Sequence, residues 1–594
     1  MPTIIIDPLT RIEGHSKWVI TIPTAGSVTA KAEGTMFRGF ENILMRRDPR
    51  DAPILTQRIC GVCPTAHAEA SARCLDNALE VGSTVWPASG LPQAKITNDD
   101  GRTHIPKNGR ILRNLIHGAD TVMSHITHFY HLAALDFVDA SSLGAPFSPT
   151  YSTSAGLTAL LPGSTPMPNG QSVVSNYVEA LTMRRKMHSA GAVFSGRQPI
   201  QHAIIPGGVT TLPTASDVVV FANLLDTVRN FINTAYIPDV VTVANAYPTY
   251  WTVGTSPGNL LSYGGFPIQS GTAAETLLLS RGLYTGGSPV LTTLGPTSFL
   301  SNVKEFVGYS YYDAGALGQN DGLHPFAGVT LPDVSKVTSG GQAYSWLKAP
   351  RYTYGGNDLV CEVGPMPRVV LSIATGNPAS VSEAKCTSSS VPVAGLGLGG
   401  SYTIANLGTT ALGLVSQAST ALISILGRYA CRALECKFIA DAMAETAAPV
   451  AWLTELQANG LTSPVYVHAK LPNKPKQGAG WAEVGRGSLG HWITIENKRI
   501  KNYQCVVPTT WNHSPRDTAG NPGPAEQVIQ EVGPVLAGYT NTDDIIITAL
   551  RALHAYDFCI ACAVHFVRPD GSTIAKFKTD SDGRVVRIPH DEEI

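Results

Sequence analysis

Two cysteine pairs carry the most chemistry in this sequence. The first lies in Arg58-Ile-Cys60-Gly-Val-Cys63-Pro-Thr-Ala-His67, the second in Asp557-Phe-Cys559-Ile-Ala-Cys562-Ala-Val-His565. Each is Cys-x-x-Cys with a histidine three or four residues on. Four thiolates suit three kinds of site. One is a closed tetrahedral zinc site. Another is a pair of independent thiol-redox motifs. The third is a redox centre in which thiolates ligate and bridge soft transition metals. Spacing alone leaves all three open. Zinc sites usually staple small modules with neighbouring pairs, and a thioredoxin-like motif needs one pair on a local strand–helix unit. Here the pairs sit near opposite ends of a 594-residue chain, so only the whole fold can bring the sulfurs together.

Positioning them falls to a chain of mixed periodicity. Residues 3 to 40 alternate apolar and polar with Thr, Val and Ile, which predicts strands. From Ala52 to Leu79 the pattern is helical, interrupted by the first pair. A Gly/Pro/Asn/Asp-rich connection spans 82 to 108. Apolar residues at Ile111, Leu112, Leu115, Ile116, Val122, Ile126, Phe129 and Leu132 predict a long helix to about Phe137. Helices are expected at 172–194 and 214–236, and strands with long loops over 250–350. A loop is expected at 387–400, a long helical stretch at 409–459 and strands at 479–512. A helix at 542–556 would deliver the second pair. No repeat and no linker divides the chain, so the expectation is one large mixed domain with a short tail.

Composition narrows the function classes. Hydrophobic residues make up 43%, ample for a large core. Charged residues make up 15%, against about 25% in an average soluble protein. That shortfall points to surface covered by a partner or by sheer size. A net charge of −1 offers no field to recruit nucleic acid or an anionic membrane. The start of the chain lacks the pattern of a secretory signal. No apolar run reaches the ~18–20 residues of a membrane span. The six cysteines outside the motifs (Cys74, Cys361, Cys386, Cys431, Cys436 and Cys505) fit small buried hydrophobes better than a disulfide scaffold.

Further motifs occur in a fixed order. They are Arg11-Ile-Glu-Gly-His15, Gly34-Thr-Met-Phe-Arg-Gly-Phe-Glu41, His128-Phe-Tyr-His-Leu132, Gly322-Leu-His-Pro325, Ala349-Pro-Arg-Tyr352, Glu362-Val-Gly-Pro365, Gly485-Arg-Gly-Ser-Leu-Gly-His-Trp492 and Val507-Pro-Thr-Thr-Trp-Asn512. Together with the cysteine motifs, this set resembles the large subunits of nickel-iron hydrogenases over nearly the whole length. The resemblance implies an α+β fold, a single large domain over residues 1–565 with a central helical bundle and peripheral β-sheets. It implies reversible oxidation of H2 to protons and electrons. Cys60 and Cys559 would be terminal ligands of nickel, and Cys63 and Cys562 would bridge nickel to an iron carrying two cyanides and one carbon monoxide. Glu13 matches a proton-relay carboxylate, though taken alone it would as readily pair with Arg11 or cap a turn. Arg486 matches an arginine above the metals, assisted by Pro508 and Thr509 and oriented by Asp557. His67 matches a histidine that hydrogen-bonds a bridging thiolate. Glu41, the backbone carbonyl of Cys505 and His565 match ligands of a magnesium or iron ion near the C-terminus.

Three departures stand out. Phe558 replaces the proline usual before the second motif. Ser124 stands where the family often has an aspartate that helps hold the arginine. Residues 82 to 108 look like an insertion. The stretch from Phe566 to Ile594 resembles the extension that a maturation endopeptidase removes. With no further cysteine set for iron-sulfur wiring, electrons would leave through an iron-sulfur small subunit in an obligate heterodimer, with a dimer of heterodimers as a further expectation and membrane contact only through partners. The uptake type implies the periplasmic face or membrane association, with the cytoplasm as the alternative. A hydrogen-sensing or slow homologue is the competing expectation.

Overall fold

The computed structural model describes residues 3–23, 27–81, 105–140, 159–163, 170–268, 277–313, 321–338, 341–375, 422–444, 451–563, 576–579 and 585–588. The loop expected at 387–400, most of the 82–108 connection, the first part of the 409–459 stretch and His565 lie outside them. An antiparallel sheet opens the chain: β1 (Thr3–Ile6), β2 (Ser16–Thr21) and β3 (Thr29–Gly34). In β2 the period of two puts Ser16, Trp18 and Ile20 inward. Short helix α1 (Phe40–Leu44) follows. The first cysteine pair then leads into α2 (Pro64–Ala78), which starts with Pro64 in the first turn, where a missing N–H costs nothing.

The helical bundle comes next, as expected. Helix α3 (Lys107–Thr127) is buried from Asn108 to Ile126, and a wide turn at His128–Ala133 prolongs it. Helix α4 (Val173–Ser195) begins where Ser172 accepts from the Ser175 N–H and stops at Gly196 with φ 78°. A capping box between Thr214 and Asp217 starts α5 (Ala215–Phe231). The helix expected at 214–236 does not end there. It passes through a wide turn at Ile232–Tyr236 into α6 (Ile237–Ala246). Pro238 has no N–H to close an ordinary turn, and the wide turn accommodates it.

Three further antiparallel sheets flank the bundle. The first holds β4 (Leu260–Pro267), β5 (Leu277–Thr285) and β6 (Ser288–Val290). In the second are β7 (Val303–Phe306), β8 (Ala349–Tyr354) and β9 (Asn357–Leu359). After α7 (Pro365–Ala374), helix α8 (Ile425–Met443) runs through the core with every residue buried. The long helical stretch expected at 409–459 comes as two helices among the described residues. Helix α8 stops at Met443, where Ala444 turns extended, and a separate α9 (Trp452–Ala458) follows. The third sheet is the meander β10 (Lys476–Val484), β11 (Gly487–Glu496) and β12 (Arg499–Val506). The strand pattern expected to 512 ends earlier, because Pro508 opens the short helix α10 (Pro508–Asn512). Helices α11 (Pro524–Ala537), α12 (Thr542–His554) and the turn α13 (Ile560–Ala563) complete the domain. In the tail, Lys576–Thr579 pairs antiparallel with Val585–Ile588.

One backbone contact fixes the first cysteine motif against the sheet. A Cβ on Gly480 of β10 would lie 2.1 Å from the Cys74 nitrogen of α2, so only glycine lets the helix seat there. Among the described residues no helix is long and apolar enough to cross a membrane. Cys74, Cys361, Cys431, Cys436 and Cys505 are buried and free, as expected of small core residues.

Candidate metal centre

Cys60 ends a 3-10 turn in extended conformation, and Cys63 stands at the N-terminal boundary of α2. At the other end of the chain, α12 stops at His554 and Asp557 takes φ 59°. That left-handed residue turns the chain back, so Cys559 bridges in parallel to Glu13. The two strands exchange bonds, Glu13 N–H to Phe558 O at 3.3 Å and Ile560 N–H to Glu13 O at 2.7 Å. Gly14, at φ 84°, permits the approach, since a Cβ there would meet the Ala561 nitrogen at 2.6 Å. The N-terminal segment thus clamps the C-terminal motif.

The four sulfurs converge. Cys60 Sγ lies 3.3 Å from Cys559 Sγ, Cys63 Sγ 3.3 Å from Cys562 Sγ, and Cys559 Sγ 2.7 Å from Cys562 Sγ. All four lie within 4.8 Å of one another and are buried. Val62 and Cys63 donate backbone N–H groups to Cys60 Sγ, each at 3.2 Å. Burial opposes ionisation of Cys60, yet hydrogen bonds from the other three cysteines and the charge of Arg486 hold it below the ordinary thiol range. Burial pushes Cys559 and Cys562 well up. One negative charge is therefore comfortable here and four are not. Four thiolates in this space need cations among them.

The charged residues expected around the sulfurs are brought together. Half-buried Glu13 accepts at Oε2 from the Cys559 thiol at 3.1 Å and from the Ala561 N–H at 3.0 Å. Burial raises its carboxyl, and the Cys60 charge adds to that. It does not pair with Arg11, which instead meets Asp136. Arg486 Nη2 lies 3.1 Å from Asp557 Oδ1. Burial alone would weaken its protonation, but Asp557 and the nearby Cys559, Cys63 and Cys60 outweigh it. Its Nε and Nη1 have no hydrogen-bond partner among the described residues, as a donor facing an external acceptor would. Thr509, in the first turn of α10 after Pro508, accepts from the Cys559 N–H at 2.8 Å, so it holds the motif's backbone. Ser124 Oγ has no partner among the described residues and faces Gly485, where a Cβ would stand 2.7 Å away. His67 Nδ1 meets His491 Nε2 at 3.2 Å, and His491 Nδ1 meets the Tyr503 hydroxyl at 2.8 Å. Burial drives His67 down to about 4, so it is neutral.

Phe558 fills the position of the usual proline with packing. Its ring stacks on Tyr556 (5.6 Å, 8°) and Trp18 (6.2 Å) and meets His513 edge-on at 4.8 Å. Sequence reasoning missed the frame behind Asp557. Arg432 of α8 donates to Gly485 O at 2.9 Å and lies 3.4 Å from Asp557 Oδ2. One turn either side, Arg428 grips Glu362, and Glu435 pairs with Arg368 and His125. The available signal was five charges (Arg428, Arg432, Glu435, Lys437 and Asp441) set among apolar residues of one helix.

A second cluster forms around Glu41. Its Oε1 accepts from the Cys505 N–H at 2.8 Å, Oε2 takes the Thr330 hydroxyl, and Lys348 Nζ stands 3.8 Å off. Lys348 is shared with Glu305 and Gln504. Glu41 and Cys505 are thus adjacent, while the third expected partner, His565, lies outside the described residues.

A large α+β domain whose two termini close four buried sulfurs into one cluster, overhung by an arginine and flanked by a carboxylate, defines a thiolate-bound redox-metal enzyme. The nickel-dependent hydrogenase family matches residues 38–87, 94–155 and 165–565, and a HoxL-like family matches 3–30. The chain is 36% identical over 567 residues to the periplasmic [NiFeSe] hydrogenase large subunit of Desulfomicrobium baculatum, covering 95% of each. It is 31% identical to the uptake hydrogenase large subunit of Bradyrhizobium diazoefficiens, covering 97% of each. The reduced Ni-Fe-Se hydrogenase of D. vulgaris Hildenborough superposes with a TM-score of 0.75 at 33% identity, over 95% of this chain and 100% of that one. The chain belongs to the nickel-dependent hydrogenase large-subunit family. It is the catalytic subunit that oxidises H2, with a nickel-iron centre on cysteine ligands, and large subunits of this family work with a small subunit.

Proposed function

We propose that the four sulfurs divide by role. Cys60 and Cys559 are terminal ligands of nickel, and Cys63 and Cys562 bridge nickel to iron. The pairing of sulfurs across the motifs, first with first and second with second at 3.3 Å, supports this division. Cyanide and carbon monoxide would complete the iron, and Arg486 Nε and Nη1, without partners among the described residues, would donate toward them. When bound, the metals supply the redox and Lewis-acid chemistry that splits H2. The chain's part is the proton. Cys559 Sγ is in hydrogen-bond contact with Glu13 Oε2, and the raised carboxyl accepts a proton there and passes it outward. Asp557 keeps Arg486 in place. Glu41, the Cys505 carbonyl and His565 would hold magnesium (or iron), a reading supported by the adjacency of Glu41 and Cys505.

Electrons leave to an iron-sulfur small subunit. Residues 566–594 are a C-terminal extension removed by an endopeptidase during maturation, a reading supported by the family match stopping at 565. The complex works at the periplasmic face or at a membrane reached through partners. The convergence of the four sulfurs carries this function. Infrared spectroscopy of the purified complex tests it, in the triple-bond region where protein hardly absorbs. Carbon monoxide and cyanide bands that shift under H2 are expected. Their absence, in protein whose mass shows the extension removed, refutes the proposed centre.

A further inference from the structure

The clamp that sets Glu13 against Cys559 is tied to the bundle at one residue. Asp136 ends the 3-10 turn Ala134–Asp136, just past the wide turn that prolongs α3, and its side chain is wholly buried. Each carboxylate oxygen holds a different arm of the clamp. Oδ1 takes the guanidinium of Arg11, in the same motif as Glu13. Oδ2 bonds His554 Nδ1 at 2.6 Å, and His554 is the last residue of α12, ahead of Cys559. The Asp136 carbonyl accepts from Arg551 Nε at 2.7 Å, one turn earlier in α12. The arms are cross-tied as well, since His554 Nε2 meets the Thr10 carbonyl at 2.9 Å. Arg11 Nη1 donates to Leu132 O, on the wide turn, at 2.9 Å. Arg11 itself takes φ 55°, a left-handed conformation that is uncommon outside glycine and persists where the surroundings impose it. Burial works against the Asp136 carboxylate, yet Arg11 and His554 outweigh it and hold it below the ordinary range.

We infer that Asp136 is a positioning residue for the proton step: it pins the N-terminal and C-terminal arms of the clamp to one point of the bundle and so sets Glu13 Oε2 against Cys559 Sγ. The backbone bonds of the clamp join the two arms to each other, whereas Asp136 joins both to the end of the α3 segment. Neither arm shifts without breaking a bond to the same buried carboxylate. A misplacement of about 1 Å at a reacting contact can cost roughly a hundredfold in rate, so a tie at this distance from the sulfurs still reaches the chemistry. The inference rests on the proton role given to Glu13 above.

The test uses the matured, metal-loaded complex carrying Asp136→Asn, which keeps the shape and removes the charge, Glu13→Gln, and the two together. The readouts are kcat and KM for H2, nickel content, and amide hydrogen exchange in peptides covering residues 8–16 and 555–563. D136N is expected to lower kcat about tenfold or more with KM changed less than about threefold, because placement and not binding is lost. Nickel stays at the wild-type level, and exchange quickens in both peptides together. On the E13Q background D136N should cost less than about twofold more, since Asp136 acts through Glu13. Wild-type kcat and exchange in D136N overturn the inference. So does quickened exchange in one peptide alone, or a full tenfold loss added to that of E13Q. Should D136N not load nickel, Arg11→Gln takes its place: it frees only the N-terminal arm and should still lower kcat more than KM changes, and wild-type kinetics there overturn the inference. An E13Q complex with wild-type kcat refutes the proton role of Glu13 alone, because the exchange of the two peptides still judges the tie at Asp136.

Discussion

Replacing Glu13 by glutamine separates its structural role from its chemical one. The carboxylate accepts two hydrogen bonds at Oε2, from the Cys559 thiol at 3.1 Å and the Ala561 N–H at 3.0 Å. Glutamine has the same shape. With its carbonyl oxygen at that position it keeps the Ala561 bond, but it cannot take the proton that Cys559 offers. The strand-like exchange between Glu13 and residues 558–560 uses backbone groups only and is untouched. Stability should therefore fall by no more than about 1 kcal/mol, the worth of one weakened hydrogen bond. Catalysis should fall far more, because a positioned proton acceptor contributes roughly 10²- to 10⁴-fold. The assay is H2 oxidation by the matured complex with a dye acceptor in excess, over a range of H2 concentrations, with nickel content and thermal midpoint measured on the same sample. The expected result is kcat down about a hundredfold or more with nickel retained. An E13Q complex with full nickel and kcat within about threefold of wild type would show that protons leave by another route, and the role given to Glu13 would be wrong.

Other perturbations reach the frame and the fold. Buried Glu526 accepts from the Ala32 N–H and the Tyr344 hydroxyl, and burial lifts its carboxyl to about 7. A raised carboxyl favours the protonated folded state, so its contribution is intact below the unfolded value near 4.5 and is lost as pH rises through about 7. Glu526→Gln should flatten that part of the profile of thermal midpoint against pH, removing a change worth about 3 kcal/mol; an unchanged slope between those values refutes it. Arg432→Met leaves Asp557 with one cation and Gly485 O without its donor, and should cost about 3 kcal/mol, read as a lower thermal midpoint. Phe558→Pro restores the residue usual in the family yet should destabilise this chain by about 3 kcal/mol, because the stack on Tyr556, Trp18 and His513 goes and Asp557 at φ 59° suits no residue before proline. A stabilised F558P protein would show that the aromatic cluster contributes nothing.

Much of this arrangement was legible along the chain. The sequence pattern located α4 and α12 to within two residues and the start of α3 to within one, while α3 ends at Thr127 and reaches on only through the wide turn to Ala133. Local rules failed at element ends. Pro508 turned the end of an expected strand into a helix start, and the helical stretch expected at 409–459 stops at Met443, where Ala444 turns extended, before α9 begins at Trp452. The cysteine quartet was legible as a motif but not as a site, since spacing alone admits zinc, thiol redox or a mixed-metal centre. Only the clamp of Glu13 and Gly14 on residues 558–561 decides that the two pairs meet.

What the sequence could not reveal is where its buried charges end. Helix α8 contains Arg428, Arg432 and Glu435, and a reader of the chain would place such residues on a solvated face. All three are buried, and their partners (Glu362, Asp557, Arg368 and His125) come from four other segments. Each isolated ion would be prohibitive in this core, and each becomes tolerable only through the others. The arrangement therefore favours one packing of α8 against α3, α7 and the end of α12 over any shifted one, because a slip of one residue would strand several charges at once. Arg486 is held at the edge of this lattice by Asp557, which Arg432 also grips, so the residue nearest the sulfurs inherits its position from pairs that never touch them. Precise placement of a few side chains at the metal centre is thus a property of the whole bundle, and that is why it takes nearly the entire chain to bring four sulfurs together.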